Sequence, residues 1–496
     1  MVDLMLDRKS KLEKLRERGI EPFPYRFDRT ITAGDGIRMF EDGELGGGSH
    51  AIAGRIMSFR HHGKSSFAHI QDMSGRIQIY FKQDVMGEQD YEVVRLLDIG
   101  DLIGVKGPLF KTRTGEITVK VEELSVLAKS LRSLPIVKEE KTDSGKAVLH
   151  DKFSDKEQRY RQRYIDLIVN PDVRETFMSR SKAISLIRHF LDEKGFVEVE
   201  TPILQPLYGG ASARPFTTYH NVLDMKLYLR IADELYLKRL IVGGFEKVYE
   251  FCKDFRNEGI DRFHNPEFTM VELYQAYADY NDMMCLLEEM IPSLSVSLFG
   301  KTTIAYQGQE IDLTPPWPRI GYLEALGKYG GVKMDSWDED TVRDICIQKR
   351  VDVEGVKGVA RLFDRLFSEL VEPNLGTPTF IIDYPAETTP LAKKKKGKPR
   401  LVERFELFVC GIEIANAFSE LTDPVEQRRR FEEQLAMNED DDEDNHRMDE
   451  DYLRAMEYGM PPTGGLGIGV DRLIMLLTDS PSIKEVILFP HMRPEE

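Results

Sequence analysis

The stretch Phe255–Tyr280, FRNEGIDRFHNPEFTMVELYQAYADY, decides the fold. Its second half, Phe268–Tyr277, reads as a strand, and Glu272 and Tyr274, two residues apart on it, must share one face. Its first half is polar and carries Arg256, Glu258, Arg262, His264 and Asn265. Working outward, Tyr228–Ile231 and Val248–Phe251 read as further strands. Arg174–Lys194, Asp233–Gly243 and Asp282–Ser293 read as helices. This mixture begins at Phe153 and contains no early strand–GxGxxG–helix unit of the kind a dinucleotide-binding parallel sheet carries.

Further along, RFELFVCGIE places Glu406 and Glu413 seven residues apart. On one continuous strand an odd interval puts them on opposite faces. A turn at Gly411 between two antiparallel strands brings them together, so a hairpin is expected there. Gly464–Leu477, GGLGIGVDRLIMLL, is a glycine-rich strand running into a helix that starts near Arg472. Lys182–Pro202, KAISLIRHFLDEKGFVEVETP, is an amphipathic helix, a glycine turn and a short strand.

Upstream, Ser49–Leu127 contains five short strand-like runs, HAIAGRIMSF, SSFAHIQD, GRIQIYFK, DLIGVKGPLFK and GEITVKVEELSVL. A helix near Asp90–Leu97 falls between the third and fourth. This β-β-β-α-β-β order is that of the oligonucleotide-binding (OB) barrel. A basic helix over residues 1–18, closed by Gly19 to Pro24, precedes it and is read as an N-terminal cap on the barrel or a contact to a nucleic-acid backbone. The expected domains are 1–48, helix and extension; 49–132, barrel; 133–152, linker; and 153–496, an α+β domain.

The 496 residues have a net charge of −17 and are 41% hydrophobic and 31% charged. Taken whole, −17 argues against a phosphate-rich partner. Residues 1–150, however, hold 24 Lys+Arg against 23 Asp+Glu, so the barrel half is close to neutral. Nine acids lie within Asn438–Asp451, expected to be a solvated surface stretch. The basic run Lys393–Arg400, KKKKGKPR, reads as an exposed mobile loop. Cys252, Cys285, Cys346 and Cys410 show no CxxC spacing, so neither a zinc site nor a disulfide framework is expected. No apolar run is long enough to cross a membrane and the N-terminus lacks a secretory signal, which points to the cytoplasm.

In order, Lys182–Pro202, Phe255–Tyr280 and Gly464–Leu477 resemble motifs one, two and three of the class II aminoacyl-tRNA synthetases. PLYGGASARPF at Pro206–Phe216, LRIADELYLKRL at Leu229–Leu240 and RFELFVCGIEIANAFSEL at Arg404–Leu421 narrow the resemblance to the lysyl-tRNA synthetase family. The resemblance covers nearly the whole chain. It implies an antiparallel sheet flanked by helices, and a homodimer through the motif-one segment and Pro202. It implies ATP, L-lysine and tRNA(Lys) as substrates and Mg²⁺ as cofactor.

Residue by residue, the resemblance implies that Arg256 holds the α-phosphate and the substrate carboxylate. Arg472 holds the γ-phosphate and flanks the adenine, with Phe268 on the other face. Glu258 meets the adenine amino group, Arg262 and His264 the outer phosphates, and Asn265 lies nearby. Glu406 and Glu413 hold Mg²⁺. Glu272 and Glu420 pair with the lysine ammonium beside Tyr274, while Gly210, Glu234 and Asn416 hold its backbone end. An aspartate-specific relative needs cations where Glu272 and Glu420 stand. A relative that lysylates a translation factor lacks the barrel. On the barrel, Phe67 and Gln78 fall where the family reads the central uridine of the anticodon. Arg60 and Glu123 are expected beside them, with Lys64 and Arg76 as candidate phosphate contacts.

Overall fold

In the computed structural model the FTMVELY segment lies at the centre of a sheet, and its alternation is realised literally. The structure describes residues 2–45, 47–135, 138–141, 147–150, 153–211, 213–334, 337–437 and 448–495. They form two compact units: Met1–Arg159 with Tyr164–Asn170, and Tyr160–Arg163 with Pro171–Glu496.

The first unit is the barrel. Its strands are β1 (His50–His62), β2 (Ser65–Gln71), β3 (Arg76–Lys82), β4 (Leu102–Gly107), β5 (Leu109–Lys111), β6 (Ile117–Lys120) and β7 (Glu123–Ala128), in the order β5-β6-β3-β2-β1-β4-β7. The expected fourth and fifth strands are each broken, which makes five ribbons into seven strands. The breaks let one ribbon pair with β3 at its start and with β4 at its end, closing the barrel. Gly107 sits at one break. A Cβ there would lie 1.9 Å from the carbonyl oxygen of Lys120, so only glycine fits. The expected helix is two short ones, Gln83–Met86 and Glu88–Val94. Inward-facing Ile52, Ile70, Ile79, Phe81, Val105 and Val119 fill the core.

Helix α1 (Val2–Glu17) adds Leu15 to that core. Its basic residues are not all free for a nucleic-acid backbone. Buried Arg8 donates to the carbonyls of Ile99, Ser130 and Arg132, and Lys11 pairs with Asp98 at 2.7 Å. Within the expected linker, residues 138–141 pair antiparallel with residues 147–150.

The second unit is built on a mixed but mainly antiparallel sheet. Its strands are β8 (Val197–Glu198), β9 (Lys247–Phe255), β10 (Glu267–Ala276), β11 (Arg319–Gly321), β12 (Thr379–Pro385), β13 (Lys398–Val409), β14 (Ile412–Ser419) and β15 (Thr463–Gly469), in the order β8-β9-β10-β15-β14-β13-β12-β11. Only β8–β9 and β11–β12 are parallel among these pairs. One face is apolar. Tyr249, Val271, Leu273, Leu466, Ile468, Ala415, Ala417, Leu407 and Phe405 pack against helices α2 (Pro171–Glu193), α4 (Tyr280–Phe299) and α5 (Val470–Leu477). Asp279 starts α4 with a capping box and Gly300 ends it in the left-handed conformation. The other face is polar and carries α3 (Glu234–Val242).

Two expectations about charge runs meet the structure differently. Lys393–Arg400 is not a mobile loop: Lys394–Lys395 pairs with β13 around Lys396 and Gly397. Lys395 pairs with Asp383, and Lys394 with Glu426 at 3.0 Å, so local carboxylates offset the run. Residues 438–447 of the acidic run lie outside the described residues. Among the described residues no helix is long and apolar enough to cross a membrane.

Candidate functional site

Because residues paired across a sheet share a face, the register assembles the polar face row by row. Glu250 of β9 is opposite Glu272 of β10, which is opposite Gly467 of β15, then Asn416 of β14 and Glu406 of β13. The neighbouring row runs Tyr274, Gly465, Phe418, Arg404. The expected hairpin is present, with Cys410 and Gly411 at positive φ in its turn. A register shift between Leu407 and Phe408 returns Glu413, opposite Phe408, to the polar face. The odd spacing of Glu406 and Glu413 is thereby resolved.

The glycines of β15 leave a bare floor. A Cβ on Gly465 would lie 2.1 Å from Glu420 Oε1 and 2.5 Å from Tyr274 Cε1. Tyr274 donates to Glu272 Oε2 at 3.2 Å. Glu234 opens α3, and Gly210, at φ +88, faces its side chain. Gly210, Glu234, Glu272, Tyr274 and Glu420 are thus brought together. Asn416 stands one row position from Glu272 beyond Gly467, and its Oδ1 accepts from Arg404 at 3.2 Å.

Lys238 completes this pocket and was not read from the sequence. It is fully buried, donates to Glu234 Oε1 at 2.5 Å, and lies 2.5 Å from Glu420 Oε2. Its i,i+4 spacing from Glu234 was a legible signal; the approach of Glu420 was not. Glu420 Oε1 receives no hydrogen bond among the described residues. Burial pushes the Glu420 carboxyl up to about 8, with Lys238 drawing it back and Glu234 pushing it further. Burial also holds Glu272 well above the usual range, reinforced by the charges of Asp233 and Asp254. Burial draws the Lys238 ammonium down, but Glu234 and Glu420 outweigh it and keep it above its ordinary value.

At the other end of the face, the Arg256 guanidinium lies 5.0 Å from the centre of the Phe268 ring. Its backbone N–H closes the polar loop onto Pro266 O at 2.9 Å. His264 Nδ1 meets Asp261 at 2.7 Å, and its Nε2 accepts from Arg472 at 3.0 Å. Arg472 also donates to Glu413 Oε2 at 3.0 Å. Asn265 is buried and bonds to Glu267 O, Arg262 donates to the carbonyl of Pro481, and Glu258 stands exposed on the loop. Arg404 pairs with Glu406 at 2.5 Å and Tyr384 donates to it at 2.8 Å. Burial pushes Glu406 up to about 7; Arg404 opposes this and Glu413 adds to it.

A further layer had no sequence signal. Arg180 of α2 pairs with Asp471 of α5 at 2.6 Å and donates to Thr269, whose N–H donates to Asp471. This links the strand bearing Phe268 to the helix bearing Arg472.

On the barrel, Arg60 pairs across to Phe67 and Phe67 to Tyr80, with the two rings stacked at 4.6 Å. Gln78, two residues before Tyr80, donates to Glu116 at 2.6 Å and accepts from Thr118 at 2.8 Å. Arg60, Phe67 and Gln78 therefore share the outward face of three adjacent strands. Tyr80 and Glu116 belong to that face and were missed. Glu123 stands on β7 and pairs with Lys106 at 2.8 Å rather than with these residues.

Residues 155–493 match the family model of class II tRNA synthetases (D, K and N), and residues 51–127 match an OB-fold nucleic acid binding domain. The chain is 55% identical to the lysine–tRNA ligase of Carboxydothermus hydrogenoformans, over 100% of this chain and 99% of the relative. It is 55% identical to that of Pelotomaculum thermopropionicum (100% and 96%) and 53% identical to that of Moorella thermoacetica (100% and 98%). With the barrel, the antiparallel sheet and full-length similarity in hand, the chain belongs to the class II tRNA synthetases and, within them, to the lysine–tRNA ligase family.

Proposed function

We propose that this protein activates L-lysine with ATP and transfers it to the 3′-terminal adenosine of tRNA(Lys). The observation that carries the choice of amino acid is the buried Glu420, whose Oε1 lacks a donor beside Glu272 and Tyr274. Glu420 meets Lys238 through Oε2; a buried acid oxygen left without a donor is costly, and a cationic ligand at Oε1 removes that cost. The ε-ammonium of lysine supplies such a cation. Glu234 and Gly210 then face its α-amino end, and Asn416 and Arg256 its carboxylate.

In the first step the lysine carboxylate oxygen attacks the α-phosphorus of ATP, the bond to the β-phosphate oxygen breaks, and pyrophosphate leaves. Arg256 holds the reacting carboxylate and α-phosphate together and meets the charge that develops there. Phe268 and Arg472 enclose the adenine, Glu258 bonds its amino group, and Arg262 and His264 hold the outer phosphates with Asn265 beside them. In the second step the 3′-OH of the tRNA attacks the lysyl carbonyl carbon and AMP leaves. No side-chain nucleophile is required.

Glu406 and Glu413 suit Mg²⁺. They are hard oxygen donors from adjacent strands on one face, and the pKa of Glu406 is raised partly by the charge of Glu413. When bound, Mg²⁺ neutralises the ATP phosphates. Arg404 and Arg472 hold these two carboxylates in place.

The barrel is proposed to read the anticodon by stacking a base against Phe67 and bonding it through Gln78, with Arg60 nearby and Glu123 at the edge. A homodimer is supported by exposed Val197, Ile203 and Leu204 in the motif-one region; a monomer in sedimentation at micromolar concentration would contradict it. The proposed location is the cytoplasm. Pyrophosphate exchange with each of the twenty amino acids tests the whole reading. Lysine alone should support it, and strong exchange with aspartate overturns it.

A further inference from the structure

Beside the lysine pocket lies a second group of buried ligands that the reaction does not use. Asp233 and Asp254 are fully buried and Cys252 is 2% exposed. One ligand atom from each lies within 4.8 Å of the others. Cys252 and Asp254, two apart on β9, present the same face, and Asp233 immediately precedes α3. Asp233 occupies the N-cap position of α3, where an aspartate normally accepts a backbone N–H. It makes no capping bond.

The Cys252 thiol reaches Asp254 Oδ2 at 3.9 Å, and the remaining oxygens are short of donors. Neither oxygen of Asp233, nor Oδ1 of Asp254, has a hydrogen-bond partner among the described residues. Arg230 is a neighbouring cation, as is Arg256, but the Nη1 of Arg230 is engaged by Glu250 at 2.7 Å and its Nε by the Lys253 carbonyl at 3.0 Å. It approaches Asp254 Oδ1 only to 3.5 Å. Burial, and then the charge of Asp233, push the Glu272 carboxyl up, so the two acids compete for a proton. One shared proton would serve one oxygen of each and leave Asp254 Oδ1 and the second Asp233 oxygen bare. A cation placed among the three side chains serves all of them.

We propose that Asp233, Cys252 and Asp254 bind a single thiophilic divalent cation of the zinc type. Two carboxylates and a thiolate are a donor set that zinc accepts and magnesium avoids. As the metal–sulfur bond forms, the Cys252 thiol proton passes to solvent. The ion fixes the start of α3, and with it the placement of Glu234 and Lys238. This site is separate from Glu406 and Glu413 and does not depend on the lysine reading. Cysteine spacing could not reveal it, because one ligand comes from a helix start and the others from a strand.

The test uses the full-length protein, with zinc and cobalt(II) as probes. Metal analysis after purification without chelators should find one zinc per chain. Replacement with cobalt should give a near-ultraviolet thiolate-to-cobalt band. Cys252→Ser should abolish the band, and Asp233→Asn should weaken metal affinity at least about tenfold. Cys285→Ser, at an exposed cysteine outside the group, should leave both unchanged. Added zinc should raise the melting temperature of the wild type and of Cys285→Ser but not of Cys252→Ser. A chain that takes up no stoichiometric zinc or cobalt overturns the proposal in favour of the shared proton. So does a cobalt band that survives in Cys252→Ser.

Discussion

On the barrel, carboxylates stay in water: Glu116, beside the aromatic strip, is 44% exposed and Glu123, on β7, is 69% exposed. On the catalytic sheet, Glu420 and Lys238 show no exposed side-chain surface, and Glu272 is buried among further acids. Both regions are β-sheets that carry their proposed chemistry on one face, so the difference is one of solvent. In water a carboxylate keeps its charge and gains little from a partner. In the interior it needs a partner or a proton. The barrel can therefore be altered piece by piece, whereas the pocket is a coupled set.

The strongest challenge to that contrast is Lys238→Ala. It leaves Glu234 and Glu420 facing each other, and a denaturant melt should show a loss of about 3–5 kcal/mol. Saturating lysine should recover part of it. A loss no larger than that of a surface mutation would break the distinction. Next is Arg256→Ala, which should lower pyrophosphate exchange about 10²–10³-fold while tRNA binding to the barrel, read by filter retention, stays intact.

The pH dependence sharpens the contrast. Between the ordinary glutamate value of 4.5 and about 8, folded Glu420 holds a proton that the unfolded chain has released. Its contribution to stability is therefore present at low pH and lost as pH rises through that window. Bound lysine favours the ionised form. The gain in melting temperature from lysine, worth about 2.7 kcal/mol at a hundredfold excess over Kd, should be larger at pH 8 than at pH 6. A pH-independent gain, measured calorimetrically, would remove Glu420 as the partner.

On the barrel, Phe67→Ala should cost about 1–3 kcal/mol in tRNA charging and leave pyrophosphate exchange unchanged. Equal loss of both would end the division of labour. The smallest effect belongs to Lys106→Ala. Its exposed pair with Glu123 should be dispensable, with no measurable change in melting temperature.

Local patterns carried much of this site. The two-residue step from Glu272 to Tyr274 and the glycine at position 411 were enough to place side chains on a face and to predict a hairpin. The residues that escaped depend on partners distant in the chain. Lys238 acquires its meaning from Glu420, Arg180 from Asp471, and Asp233 from Cys252 and Asp254. The barrel strands were misjudged in number for the same reason, since a ribbon that pairs with two different strands breaks where it changes partner. The basic run before β13 misled because its composition said nothing of Asp383 and Glu426.

Gly107 and Gly465 have a consequence for how this protein can vary. At each, the space a β-carbon would take is already filled, by a backbone oxygen in the barrel and by the Glu420 carboxylate in the pocket. In a library of random variants selected for growth, these two positions should return glycine alone, although neither offers a functional group. They are silent constraints: any scheme that ranks positions by chemical capability would pass over them, yet they leave fewer alternatives than most of the charged residues around them.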